Sequence, residues 1–234
     1  MQKETRLDEE IKLDPDNARA HYRLGCVLQA RGDLKGAEQS FRQAIELDPG
    51  HFLAQWALGD ILLLLDDLEG AERSYRKLVE LDPMSAISYA RLGWVLGCKG
   101  DHHGAEESAR RAVELDSKDN FVYQVLGWVL EANGDLHGAE QSFRRAIELN
   151  PNSDIDHCRL GDVLEAKGNL KGAELSFRRA IELDPGYFPP HRALVRVLYR
   201  MTVASELPND NDDDDTSELP DDNDDDDNDE WEDI

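Results

Sequence analysis

Arg42, Arg76, Arg110, Arg144 and Arg178 stand 34 residues apart, and Lys77, Arg111, Arg145 and Arg179 run beside them. A basic stripe of this kind is what a phosphate backbone needs. Each arginine of the first set, however, has a glutamate four residues before it and four after it, as in Glu38–Arg42–Glu46 and Glu140–Arg144–Glu148. Such pairs add about 0.2–0.5 kcal/mol each to a helix and cancel much of the positive field. The stripe therefore reads as a solvated, helix-stabilising face. The net charge of −25 points the same way, because it would repel phosphate. No nucleic-acid partner is expected.

The other reactive side chains form no pattern. His102 and His103 fall in a predicted surface turn, with His137 in the column of His103 one period later. Neighbouring helices packed about 8–10 Å apart would hold such histidines too far from one another to share a metal easily. Cys26, Cys98 and Cys158 are odd in number and contain no CxxC pair, so neither a disulfide framework nor a zinc site is expected. Free thiols fit a reducing compartment. The sequence has no phosphate loop, no nucleophile elbow and no HExxH. We expect no catalytic residue, no cofactor and no metal. The start, MQKETRLDEE, lacks the apolar core of a signal peptide, and the longest apolar run, 61–65, is far too short to span a membrane. The expectation is a soluble cytoplasmic protein.

The spacing of the stripe belongs to the whole chain. Leu-Asp or Leu-Asn recurs at Leu13, Leu47, Leu81, Leu115, Leu149 and Leu183, and all but one of these pairs is followed by proline; Ser117 is the exception. Gly25, Gly59, Gly93, Gly127 and Gly161 form a second column, and Ala37, Ala71, Ala105, Ala139 and Ala173 a third. Each period reads as two helices. Leu24, Val27 and Leu28 make an apolar stripe on the first, and Phe41, Ala44, Ile45 and Leu47 make one on the second. Gly32-Asp33 marks the turn, with Asp33 at the positive end of the second helix. Asp48-Pro49 stops that helix. A mid-helix glycine costs about 1 kcal/mol relative to alanine. The Gly25 column thus predicts a close approach of two helices, with the Ala37 column as the expected partner.

These residues resemble the tetratricopeptide repeat, whose pattern the first full copy meets at Leu24, Gly25, Ala37, Phe41, Ala44 and Pro49. The resemblance spans about 1–201. His21 and Gln55 depart from it, standing where the family favours an aromatic, as does Leu28 where it favours tyrosine. Ala109 replaces the Phe41-type residue in the third copy, which predicts a local void or a softer junction there. The implied fold is all-α: a right-handed α-solenoid of five helix-turn-helix repeats at 18–51, 52–85, 86–119, 120–153 and 154–187. Before them, 1–17 reads as a partial repeat, a second helix alone carrying Leu7, Ile11 and Leu13. After them, 188–201 reads as a capping helix with Arg192, Arg196 and Arg200 on its solvent side. The remaining 202–234 reads as a disordered acidic tail.

In this family the first helices line a concave groove that binds peptides or partner helices. Carried over by position, the groove would present Arg19, Tyr22, Cys26, Trp56, Asp60, Leu63, Trp94, Phe121, Trp128 and Asp162. Large aromatics supply binding energy in partly desolvated pockets; packing between repeats is the alternative use of the same tryptophans. Tyr22, Cys26, Trp56 and Asp60 occupy columns where some relatives place Lys and Asn to hold a chaperone's terminal carboxylate, so that ligand class is not expected.

Seventeen of the 51 acidic residues, and no Lys or Arg, lie in 205–234. The segment repeats itself as SELPNDNDDDDT and SELPDDNDDDDN and ends in NDEWEDI, where Trp231 and Ile234 resemble a short docking peptide. A solubilising tail without a ligand, a contact for a basic partner, and folding back onto the groove are the three readings. Asp60, Glu131, Asp162 and Glu165 weigh against the third. The expectation is a non-enzymatic interaction scaffold for a protein or peptide partner. The alternative is an acidic chaperone or assembly factor that binds basic proteins through the Asp-rich tail.

Overall fold

The computed structural model describes residues 2–206, and the tail with Trp231 and Ile234 lies outside them. Twelve helices and no strand make up the described residues. A lone helix α1 (Gln2–Leu13) precedes five hairpins: α2 (Ala18–Ala30) with α3 (Leu34–Leu47), α4 (Phe52–Leu64) with α5 (Leu68–Leu81), α6 (Ala86–Cys98) with α7 (His102–Leu115), α8 (Asn120–Ala132) with α9 (Leu136–Leu149), and α10 (Asp154–Ala166) with α11 (Leu170–Leu183). Helix α12 (Phe188–Glu206) closes the stack and runs past the expected end at Met201. The whole is a right-handed α-solenoid.

The turns explain the regular helix ends. Gly32, Gly100, Gly134 and Gly168 take φ near +80°, which lets the chain reverse within a few residues. In the second hairpin Asp66 does the same at φ 61°, an uncommon conformation for a non-glycine residue. The next residues are N-caps: Asp33 accepts from the Gly36 N–H at 3.0 Å, and Asp67, Asp101, Asp135 and Asn169 repeat the bond at 2.8–3.0 Å. At the other end Asp48 is extended before Pro49, and α3 stops at Leu47.

The glycine column does mark a close approach, but in four of the five hairpins its nearest neighbour is an aromatic ring; only Gly93 meets the Ala37 column, at Ala105. A Cβ on Gly25 would lie 2.5 Å from Phe41, on Gly59 2.9 Å from Tyr75, on Gly127 2.9 Å from Phe143 and on Gly161 2.5 Å from Phe177. All four rings are buried in the core. Each first helix therefore lies flat on a ring offered by the second helix of its own hairpin. The small Ala37 column is itself fully buried.

The third hairpin solves the same problem differently. Ala109 offers no ring, and the two backbones close in instead. A Cβ on Gly93 would meet the Ala105 carbonyl oxygen at 3.0 Å and the Ala109 nitrogen at 3.1 Å, and Ala109 is fully buried.

At the end of the stack the expected polar outer side of α12 is replaced by a mixed one. Arg196 and Arg200 reach back to Glu165 on α10, while Phe188, Val195 and Tyr199 stand about 70% exposed. Val195 occupies the Gly25 column, the side on which each earlier first helix meets its second helix, and Tyr199 the Gly97 column, on which Trp128 of the next first helix packs.

Candidate partner-binding groove

Successive first helices touch one another, α2 with α4, α6 with α8, α8 with α10 and α10 with α12, whereas no second helix of a hairpin touches the next second helix. A stack in which one layer is in contact and the other is splayed must curve toward the contacting layer. The first helices therefore line the hollow side. The exception is α4 and α6, whose backbones stand farther apart and which meet through side chains.

Arg91 bridges that gap. From α6 its guanidinium lies 5.6 Å from the Trp56 ring on α4 and 5.2 Å from the Phe121 ring on α8, and it stands 3.7 Å from Asp60. Asp60 also accepts the Tyr75 hydroxyl at 2.5 Å. That bond and burial together push the Tyr75 hydroxyl well above its ordinary pKa. Trp56 is fixed between Phe52 and the edge of Tyr75, at 6.4 and 6.1 Å.

Beyond Arg91 the hollow deepens into a recess of about 200 Å³. It is lined by Arg91 and Trp94 on α6, by Phe121, Gln124, Val125 and Trp128 on α8, by Phe143 on α9, and by Ile155, Asp156 and Arg159 on α10. Trp94 and Trp128 meet edge to face at 6.5 Å. Trp128 serves both uses open to it. It lines the recess, and it packs across the repeat boundary onto α6, where a Cβ on Gly97 would lie 2.5 Å from its ring.

Asp156 is fully buried in the first turn of α10. Oδ2 accepts from the Gln124 side chain at 2.8 Å, and Oδ1 has no hydrogen-bond partner. Burial raises its pKa, with Gln124 and Ser153 pulling the other way. Glu131 and Asp162 nearby are also pushed up by burial, each partly offset by Arg159. Glu165 is held below the ordinary range, because Arg196 and Arg200 donate to it at 2.6–3.0 Å.

The remaining expected groove residues lie apart from the recess. Arg19 is exposed on α2. Tyr22 packs on Phe41 and His51, at 5.9 and 5.1 Å. Leu63 is partly buried against the core. Arg91, Gln124, Asp156 and Arg159 are the polar recess residues that sequence reasoning missed. Arg91 and Arg159 share the column of Arg23, and that shared position was the available signal.

On the outer side the arginine ladder is occupied by its glutamates. Arg42, Arg76, Arg110, Arg144 and Arg178 pair with the glutamate four residues before at 2.7–2.9 Å. Cys158 is buried, and its thiol is pushed up to about 11, so it is no nucleophile at neutral pH. Among the described residues no helix is long and apolar enough to cross a membrane.

The family described as "Tetratricopeptide repeat" matches at 4–50, 22–86, 57–120, 90–154 and 125–188. No curated protein matches the sequence. Among solved structures the chain is similar to YrrB, described as a TPR protein with an unusual peptide-binding site, at 21% identity and a TM-score of 0.61 over 80% of this chain and 96% of that one. It is also similar to PilF of Pseudomonas aeruginosa, at 22% identity and 0.67 over 80% and 87%. The Cut9–Hcn1 assembly of the APC/C aligns at 16% identity and 0.73, over 86% of this chain and 41% of that one. At these identities the likeness concerns the fold alone.

Proposed function

The chain belongs to the tetratricopeptide repeat family, and on that premise we propose that it is a non-enzymatic scaffold holding a segment of a partner protein in the hollow of its first helices. The observation that supports this most is the recess walled by Trp94, Phe121 and Trp128. At about 200 Å³ it is smaller than the ~300–1,000 Å³ of a small-molecule site and suits one large side chain of a peptide. Aromatic anchors in such pockets carry a large share of binding energy. Arg19, Asp60 and Asp162, spread along the hollow, set the register of the segment that carries the anchor.

The test is selection of peptides from a random library on the full-length protein, followed by titration against Trp94→Ala. Loss of at least about tenfold in affinity, with the helical circular dichroism retained, is the expected result. Selected peptides that bind Trp94→Ala as well as the unaltered chain would remove the recess from the function.

A second reading follows from the 17 acidic residues of 205–234, which include no balancing base. Binding of a basic protein there would weaken steeply with salt and would vanish on deletion of 207–234.

A further inference from the structure

Building on the groove reading, we propose that the recess between α6, α8 and α10 is a site for an indole side chain flanked by carboxylates, and that its resident occupant is Trp231 of the same chain. Three features of the recess select this ligand. Its walls are aromatic, so a flat ring is held edge to face by Trp94 and Trp128. Asp156, a fully buried carboxylate, is among the residues that line the recess, and its Oδ1 has no hydrogen-bond partner, so a ligand N–H that reaches it supplies the bond the protein leaves unmade. Two arginines, Arg91 and Arg159, are among the lining residues, so the residues next to the ring are favoured if acidic.

The sequence contains one segment of that description. Trp231 is flanked by Asp229 and Glu230 before it and Glu232 and Asp233 after it. A lysine or arginine anchor would also suit Asp156 but would face both arginines. A plain apolar anchor would leave Asp156 Oδ1 unpartnered. Two of the groove carboxylates that argued against a returning tail are already engaged: Asp60 accepts from Tyr75 beside Arg91, and Glu165 is gripped by Arg196 and Arg200.

Reach does not limit the contact. The near wall of the recess is α10, which packs directly on α12. The 25 residues from Glu206 to Trp231 span up to about 80–90 Å at ~3.3–3.6 Å each. The recess lies only two or three helix spacings of about 8–10 Å away. A tether of this kind presents its end at an effective concentration on the order of millimolar. A segment that binds with a Kd of about 100 μM as a free peptide then occupies the site about nine-tenths of the time. An external ligand must displace it, so the tail sets a threshold on partner affinity.

A fluorescein-labelled peptide spanning 226–234 tests this by anisotropy, with full-length protein as the titrant and light scattering run alongside. Trp231→Ala leaves the helical body untouched. It is expected to bind the peptide about tenfold more tightly than the unaltered chain, because nothing competes for the recess. Adding Trp94→Ala to Trp231→Ala is expected to abolish the gain, and high salt to reduce it. Equal binding by the unaltered chain and Trp231→Ala, or no binding by either, overturns the proposal. So does association of the unaltered chain into dimers that Trp231→Ala dissolves, since the occupant is then a second copy. If library-selected peptides still depend on Trp94 while the 226–234 peptide fails, the groove reading stands and only the resident tail is lost.

Discussion

The third hairpin and its four neighbours carry the same glycine at the same place and use it for different ends. In four hairpins the glycine makes room for a buried ring: Phe41, Tyr75, Phe143 or Phe177. In the third there is no ring, and the glycine lets α6 meet the backbone of α7. The irregularity does not stop there. The backbone of α6 approaches α8 but not α4, its Gly97 lies under Trp128, and its Arg91 spans the opening toward Trp56 and Asp60. This helix gives the recess Arg91 and Trp94, and α8 and α10 give most of the rest. A repeat protein acquires a particular site where its repetition is broken, because a perfect array offers the same shallow surface at every step.

The contrast can be broken or sharpened by substitution. The largest effect is expected for Phe177→Ala, which empties a fully buried ring site under Gly161 and should cost about 3–5 kcal/mol in chemical denaturation. Next comes Gly161→Ala, whose new Cβ would press on the Phe177 ring at 2.5 Å; a loss of about 1–3 kcal/mol is expected by the same measurement. Gly93→Ala should cost less. Its Cβ meets backbone at 3.0 Å, needing a shift of a few tenths of an ångström, against the deeper 2.5 Å overlap at Gly161; the gain of about 1 kcal/mol in helix propensity is common to both. If the two glycine variants melt alike, the distinction between ring and backbone contact is wrong.

A smaller effect concerns α10, where two carboxylates one turn apart are shifted in opposite directions. Glu165 has a depressed folded pKa, so its contribution is complete above the ordinary glutamate value of 4.5 and is lost as pH falls below it. Glu165→Gln should therefore flatten the acid limb of the stability–pH profile. Asp162 has a raised folded pKa, so its ionisation costs stability as pH rises above the ordinary 3.8, and Asp162→Asn should relieve that cost. The smallest effect belongs to the outer ladder. Arg178→Ala, half-exposed and paired only with Glu174, should shift the melting temperature by no more than about one or two degrees.

Much of the fold was legible because each signal was local and repeated. Asp33 capping a helix and Asp48-Pro49 ending one depend on three or four adjacent residues, and five copies make such signals hard to miss. The partner of Gly25 was misread because two small residues facing each other is the simpler packing; only the folded chain shows that the ring of Phe41 slides beneath. Ala109 was read as a defect because a column compares copies, and the backbone shift that compensates it is not a residue. The recess was half legible. Trp94 and Trp128 share one column and Arg91 and Arg159 another, Asp156 comes from a third, and they meet because α6, α8 and α10 lie side by side. Asp156 in particular stands where the other hairpins carry Ala20, Ala54, Ser88 and Val122, a position with no history of binding in this chain.

The uncovered side of α12 has a colloidal consequence. Phe188, Val195 and Tyr199 form a sticky end on a polymer whose remaining segment is a strong polyanion. Such a molecule is kept dispersed by like-charge repulsion, which reaches about 8 Å at 0.15 M ionic strength and only about 3 Å at 1 M. Added electrolyte should therefore lower its solubility, the reverse of the salting-in usual for evenly charged surfaces.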